Sequence, residues 1–296
     1  MNDANSAGAP FAPLPSAAPG SWLRELLAED FGEPNTVVPR GFDAYARILH
    51  PIARDRPKAP DTWATVDGAT CADIEREAGS WAELAAATSN RLGPYTQSAD
   101  ILPPRTTEHQ EWFTPEGWRY GQSEEGNLDL DTLARVAMVL SRHTGTTQSG
   151  VAAVWEGWGT GSSTPYYPSK AQMRAHRMGS LLRGLRRGGS TGKKQPKPAR
   201  LELPGRTHQM YEAGVATFTD TRWPSKAPWV EHDWAPQSPS VLWPADHAWV
   251  MVTEVDYDST IVAGSQDLLT ELLATDRVEA FAVGEDIEEY MWVIPQ

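Results

Sequence analysis

The order of segments in the last third of this chain restricts its fold class most. Residues 249–257 are apolar over their first half and predict a strand. Ser265 can cap a helix that runs to residue 274, with four leucines on its apolar side. Residues 278–283 predict a second strand. We therefore expect an α+β fold with a central mixed or antiparallel sheet, helices packed on it, and long irregular Pro/Trp-rich connections.

Other segments predict the remaining helices and strands. Residues 129–143 predict the clearest helix, because apolar residues recur on one face and acidic residues stand at its start. Residues 151–155 and 207–212 are expected to be further strands of the central sheet. Weaker patterns predict a strand at residues 42–49 and helices at residues 22–28, 71–77 and 80–88.

The composition fits one globular domain from about residue 21 to residue 296. A chain of 296 residues can bury a large hydrophobic core, so it needs no disulfide or structural metal. Residues 1–20 contain ten Ala or Pro residues, and we expect this segment to be disordered. They do not resemble a secretory signal, and no apolar run is long enough for a membrane span. With Cys71 as its single cysteine, the chain is expected to be cytoplasmic.

Charge is distributed very unevenly along the chain. The formal net charge is −13, yet residues 157–201 contain ten basic residues and no acidic residue. The rest of the chain holds 16 basic and 39 acidic residues, which amounts to −23. We interpret residues 159–200 as a flexible basic insert in an acidic domain. Its arginines Arg183, Arg186 and Arg187 are candidate partner-binding residues.

The basic insert has several interpretations. It could bind an acidic protein partner, contact an anionic membrane surface, or fold back on the acidic domain of the same chain. Nucleic-acid binding is not expected except through the segment between Lys170 and Arg200, because the acidic domain would repel phosphates. Folding back on the domain is the interpretation we favour.

Four stretches together carry a resemblance to a known group of proteins. They are GFDAYARILHP (41–51), WEGWG (155–159), LPGR (203–206) and the segment at 238–273. This set resembles an uncharacterised family of hypothetical proteins from high-GC bacteria, over most of residues 37–283. The resemblance implies no activity, cofactor or catalytic residue.

Carboxylates accumulate at the end of the predicted strand 249–257. Glu254, Asp256 and Asp258 alternate, so on a strand they would share one side at a spacing of about 6.5–7 Å. One hypothesis is a general acid/base or divalent-metal site, since oxygen ligands suit Mg²⁺, Mn²⁺ or Ca²⁺. The favoured alternative is a solvated face, or ion pairs with Arg277 or the basic insert.

Two histidines extend this hypothesis. His232 and His247 are candidate catalytic residues together with the three carboxylates, and Asp256, Asp258 and His247 are candidate metal ligands. Their spacing matches no known metal-binding motif, and the chain lacks the common nucleophile and nucleotide-binding motifs. We therefore predict no cofactor, with a divalent cation as the alternative.

Tryptophan is concentrated in one proline-rich region, residues 223–249. Trp223, Trp229, Trp234 and Trp243 are candidate partner-binding residues, because tryptophan gives a large contact area to protein interfaces. The alternative is that these side chains pack irregular connections against the domain.

The leading functional hypothesis is a non-catalytic cytoplasmic interaction protein of immunity, adaptor or regulatory type. The competing hypothesis is a divalent-metal-dependent enzyme.

Overall fold

A computed structural model describes residues 10–29, 35–59, 74–102, 114–158, 196–230 and 235–291. Its strands are β1 (Ala44–Leu49), β2 (Ile52–Pro57), β3 (Ile74–Gly79), β4 (Arg119–Ser123), β5 (Gly150–Trp155), β6 (Arg200–Leu203), β7 (Arg206–Glu212), β8 (Val241–Pro244), β9 (Val250–Val252), β10 (Ser259–Gly264) and β11 (Ala280–Val283). Its α-helices are α1 (Ser21–Glu25), α2 (Trp81–Thr88), α3 (Ser98–Ile101), α4 (Leu130–Arg142), α5 (Gln266–Leu273) and α6 (Glu288–Met291).

Eight of these strands form one sheet in the spatial order β11-β1-β10-β9-β8-β5-β7-β6, and every neighbouring pair is antiparallel. The other three form a smaller antiparallel sheet in the order β3-β2-β4. The α+β prediction is therefore confirmed, and the central sheet is antiparallel. The strands predicted at residues 42–49, 151–155, 207–212 and 278–283 all lie in the larger sheet.

Both faces of the central strands are buried, which explains why β5, β8 and β9 are nearly continuous apolar runs. In β5, Ala152 and Val154 belong to one hydrophobic cluster, whereas Val151 and Ala153 belong to the other. The first cluster is covered by α4, α5 and the 3-10 helix Val215–Thr219. On the second cluster lie side chains from α1, from residues 37–42 and from α6.

The predicted helices at residues 129–143 and 265–274 are confirmed, and both begin at a side-chain cap. The carboxylate of Asp129 accepts the backbone N–H groups of Asp131 and Thr132. The hydroxyl of Ser265 accepts the N–H of Leu268. Helix α4 is buried on most sides because it lies between the sheet, α5 and Val215–Thr219.

Helix α2 packs where the chain passes from β1 of the larger sheet to β2 of the smaller sheet. It confirms the helix predicted at residues 80–88. Ser80 and Glu83 form a capping box at its start. Trp81 is fully buried, and its indole N–H donates to the carbonyl of His50 at 2.7 Å. A small hydrophobic cluster with Leu49, Ile52 and Leu84 surrounds this tryptophan at the junction between β1 and β2.

Three predictions need correction. The helix predicted at residues 71–77 is wrong where it is described, because Ile74–Gly79 pairs with β2 as a strand. The strand predicted at 249–257 ends at Val252, and a turn closed by Tyr257 N–H and Glu254 C=O follows at 3.1 Å. The next strand, Ser259–Gly264, was not predicted from the sequence.

The predicted disorder of residues 1–20 is wrong for residues 10–20. Phe11 is only 2% exposed, and its N–H donates to the carbonyl of Glu212 at 3.1 Å. Leu14 N–H donates in the same way to Met210 at 3.0 Å. The segment is ordered although it has only two large apolar side chains after Met1, Phe11 and Leu14. The reason is that the backbone of β7 near Glu212 forms hydrogen bonds with the backbone of this segment. Residues 1–9 lie outside the described residues.

Candidate functional site

Two of the three carboxylates after β9, Glu254 and Asp256, form ion pairs with one arginine of the same chain. Arg206, at the start of β7, donates from Nε to Glu254 at 3.1 Å and from Nη2 to Asp256 at 2.6 Å. The side chain of Glu254 is 4% exposed, whereas that of Asp256 is 55% exposed. Burial raises the pKa of Glu254, and the charge of Arg206 opposes this effect. The guanidinium also lies over the ring of Trp155, 5.3 Å from its centroid.

Asp258 belongs to a different and more deeply buried ion pair. Arg47 on β1 is 0% exposed, and its Nη2 donates to Asp258 at 2.9 Å. The second carboxylate oxygen accepts the N–H of Ser98 at 2.8 Å. Arg47 Nη1 donates to the carbonyls of Pro94 and Thr96 at 3.0 and 2.7 Å. This arginine therefore ties the segment at residues 94–98 to the sheet.

The favoured alternative for these carboxylates is a solvated face, or ion pairs with Arg277 or the basic insert, and Arg277 is wrong as a partner. The actual partners are Arg206 at the start of β7 and Arg47 on β1, which are 48 and 211 residues away in sequence from Glu254 and Asp258. Arg277 is instead 3.7 Å from Asp276. The segment at residues 159–195, which holds most of the basic insert, lies outside the described residues.

The predicted metal ligands do not come together. The ring of His247 stacks on Trp22 with centroids 4.1 Å apart, at the opposite end of β9 from Asp256. Asp258 is bound to Arg47, as described above. Within the described ranges, no three His, Cys, Asp or Glu side chains form a group that could hold a metal ion. His232 lies outside those ranges.

A buried histidine that the sequence did not single out lies beside the Arg47–Asp258 pair. His50 is 1% exposed, with Nδ1 at 2.6 Å from the carbonyl of Glu124 and Nε2 at 2.9 Å from the hydroxyl of Thr260. Burial lowers the pKa of His50 to about 4. The ring is therefore neutral at pH 7, with Nδ1–H as the donor to Glu124 because a carbonyl can only accept. The sequence signal that could have identified His50 as buried is its position in an apolar run with the pattern of a strand.

The described tryptophans of the proline-rich region are buried or half-buried rather than exposed. Trp223 and Trp243 are each 1% exposed, so the prediction that they contact a partner is wrong. Trp229 is half-buried, packs against Phe11 and Tyr211, and donates its indole N–H to Gln237 C=O at 3.0 Å. The alternative describes Trp229, which fixes a connection without regular structure, whereas Trp223 begins a 3-10 helix and Trp243 lies within β8. Trp234, Arg183, Arg186 and Arg187 lie outside the described residues.

A partly exposed surface with interface chemistry lies instead on the smaller sheet. The strand register places six side chains on one face, which we call the Trp118 face: Arg54, Arg56, Glu75, Glu77, Trp118 and Tyr120. The guanidinium carbons of Arg56 and Arg54 lie 4.2 and 4.6 Å from the centroid of Trp118. Arg54 donates to Glu77 at 2.8 Å and Arg56 donates to Glu75 at 2.9 Å.

The opposite face of the smaller sheet is also polar. Asp55 accepts two bonds from Arg119, at 2.8 and 2.7 Å, and lies 3.8 Å from Arg76. Among the described residues, none of residues 54–56 and 75–77 belongs to a hydrophobic cluster, whereas Ile52 and Tyr120 of the same sheet pack in the cluster around Trp81. Cross-strand ion pairs and the arginine–tryptophan stack therefore hold its outer part together.

Salt is expected to loosen this sheet selectively. Exposed ion pairs contribute about 0.2–1 kcal/mol each and are screened by salt. Raising NaCl from low concentration to 1 M should accelerate amide hydrogen exchange in β2, β3 and β4 by about two- to tenfold. Exchange in β5 and β8, which are buried on both faces, should change little. Equal acceleration in both sheets would contradict the role assigned to these ion pairs.

Comparison of the chain with protein-family models, curated proteins and solved structures gives no match. The resemblance to a family from high-GC bacteria thus stays a prediction. Within the described ranges, no helix has the length and apolar character needed to cross a membrane.

Proposed function

We propose that this chain is a non-catalytic protein-binding protein of the cytoplasm, of immunity, adaptor or regulatory type, and that it binds its partner through the Trp118 face. The observation that carries this proposal is the half-buried ring of Trp118, which lies under two arginines and belongs to none of the hydrophobic clusters of the described residues. Tryptophan, tyrosine and arginine are the residues whose truncation costs most binding energy in protein interfaces.

The packing of Trp118 favours a binding role over a purely structural one. A sheet usually gains its stability by burying one apolar face against another layer. Within the described residues, Trp118 belongs to no hydrophobic cluster, and Arg54 and Arg56 lie over its ring. A partner that covered this face would remove water from the stack and from both ion pairs, and electrostatic attraction increases as the local dielectric falls.

The charges of the face favour a protein over a nucleic acid. Arg54 donates to both Glu77 and Glu83, and Arg56 is paired with Glu75. The affinity of a protein for phosphate groups comes mainly from unpaired basic side chains, and these carboxylates would repel phosphates.

The competing hypothesis, a metal-dependent enzyme, needs carboxylates that are free to bind a cation. Glu254, Asp256 and Asp258 each accept from an arginine.

The proposal is tested by capture followed by titration. The tagged full chain is used to isolate partners from bacterial lysate, and each identified partner is purified and titrated by calorimetry. We expect Trp118→Ala to weaken the affinity about 30-fold or more, as for a side chain worth about 2 kcal/mol at the centre of an interface.

Tyr290→Ala is the matched control, because Tyr290 is an aromatic residue outside the smaller sheet and is 41% exposed. This variant should bind every partner as the wild type does. A partner that binds the wild type and Trp118→Ala with equal affinity would overturn the assignment of the surface. Failure to isolate any protein that binds in titration would overturn the proposed function itself.

A further inference from the structure

We infer that the partner adds an extended strand, with basic side chains at alternate positions, to the edge of β3 that pairs with no strand of the described residues. This inference rests on the proposed function, because it specifies the partner of the same sheet. Within the described residues, β2 is the central strand and β3 pairs with β2 alone. An edge strand offers backbone N–H and C=O groups to an incoming strand, which is a common mode of peptide recognition.

The side chains of β3 define which strand would fit. Glu75 and Glu77 both belong to the Trp118 face, and their side chains are 43% and 42% exposed. Their partners Arg56 and Arg54 are less exposed, at 37% and 18%. The outermost charges of this face are therefore negative. Glu83 on α2, which is 54% exposed, adds a third carboxylate to the same surface.

The two carboxylates keep acceptor capacity for a partner. Arg54 donates to Oε1 of Glu77, and Arg56 donates to Oε2 of Glu75. The other oxygen of each carboxylate accepts neither of these bonds, and an ionised carboxylate has about four acceptor positions. The arginines hold both carboxylates in place from the β2 side, so a basic side chain can bind them without ordering them first.

The spacing of these carboxylates matches an extended basic segment. Alternate residues of a strand lie about 6.5–7 Å apart, both on β3 and on any strand that pairs with it. Side chains directly opposite one another in such a pair are about 4.5–5.5 Å apart at Cβ, and opposite charges at these positions stabilise the pairing. A segment with Lys or Arg at positions i and i+2 would thus place one cation beside Glu75 and the next beside Glu77.

Two synthetic peptides test this inference against the full chain. The probe is a fluorescein-labelled nonapeptide in which arginine alternates with threonine, and the comparison peptide has the same composition with its arginines consecutive. We expect the alternating peptide to bind at least tenfold more tightly in fluorescence anisotropy. Hydrogen exchange at residues 74–79 should slow when it binds. Equal affinity for the two peptides would overturn the inference, because general electrostatic attraction does not depend on alternation.

Variants of the protein and of the probe complete the test. Glu75→Gln/Glu77→Gln should weaken the alternating peptide at least tenfold, whereas Glu202→Gln/Glu289→Gln, the same charge change at exposed positions elsewhere, should stay within twofold. Methylation of alternate peptide nitrogens, which blocks strand pairing and leaves the protein unchanged, should weaken binding at least tenfold. Unaltered binding in either case would overturn the inference.

The outcomes separate this inference from the proposed function. Suppose that Trp118→Ala no longer binds the partner captured by the wild type, while the alternating peptide fails to bind the wild type. Partner binding through the Trp118 face is then supported, and strand addition to β3 is wrong. In that case, the charges of β3 serve to prevent edge-to-edge association, a common role of charged residues on edge strands.

Discussion

Replacing Arg47 with methionine is expected to lower the free energy of unfolding by about 3–5 kcal/mol, because it leaves a buried carboxylate without its cation. Arg47 is 0% exposed and pairs with Asp258, whose side chain is 9% exposed. The substitution also removes the donors to the carbonyls of Pro94 and Thr96. Urea denaturation at pH 7 measures the difference. The segment at residues 94–98 should lose hydrogen-exchange protection first.

A second substitution identifies the cause of this loss. Adding Asp258→Asn to Arg47→Met removes the uncompensated charge, so the double variant should recover part of the lost stability, with a coupling energy of about 1–3 kcal/mol. Arg277→Met is the matched control, because its side chain is 76% exposed and lies 3.7 Å from Asp276. This control should change stability by less than about 0.5 kcal/mol. A loss below about 1 kcal/mol for Arg47→Met, or no recovery in the double variant, would show that the pair is not a structural anchor.

Acidification is expected to destabilise the fold through two buried histidines. Burial lowers the pKa of both His50 and His208 to about 4, and the charge of Arg206 adds to this effect at His208. The ordinary pKa of histidine is about 6.5. As pH falls below 6.5, the unfolded chain takes up protons that the folded chain does not accept until about pH 4. Each histidine therefore removes about 3 kcal/mol of stability between pH 6.5 and pH 4.

Neighbouring groups modify this pH dependence in opposite directions. Around His50, the negative charges of Asp258 and Asp129 raise its pKa and the charge of Arg47 lowers it, both less than burial does. Burial also raises the pKa of Glu124, Glu254 and Glu288. A carboxyl group whose pKa is raised in the folded state stabilises the folded protein as pH falls. These groups therefore oppose the effect of the histidines over part of the pH range. The histidine effect must therefore be measured as a difference between variants.

His50→Asn isolates the effect of one histidine. At pH 7 this substitution should cost more stability than at pH 4, and the two costs should differ by about 3 kcal/mol. Ser238→Ala removes the acceptor of the Leu128 N–H bond but no titratable group, so its cost should be the same at both pH values. Equal costs for His50→Asn at pH 7 and pH 4 would mean that His50 does not have to be neutral in the folded state.

The elements that the sequence predicted well depend on short-range patterns. Helix α4 has an apolar stripe and the Asp129 cap, and α5 has four leucines and the Ser265 cap. Each of these signals lies within one element. Glu75, Arg76 and Glu77 instead form a strand through partners on β2, at positions 54–56. A local pattern did not contain that information, so the sequence favoured a helix there.

In the candidate site too, some features follow from the local sequence and others only from the fold. The sequence alone determined that Glu254, Asp256 and Asp258 are concentrated in one short segment and that tryptophan is concentrated in one proline-rich region. Only the tertiary structure decided that Arg47 and Asp258, 211 residues apart, share one buried pair, and that Trp118 lies beneath Arg54 and Arg56. The physical reason is that periodicity and capping act over a few residues. Burial and charge pairing, in contrast, depend on which strands become neighbours, and this order follows from the packing of the whole sheet.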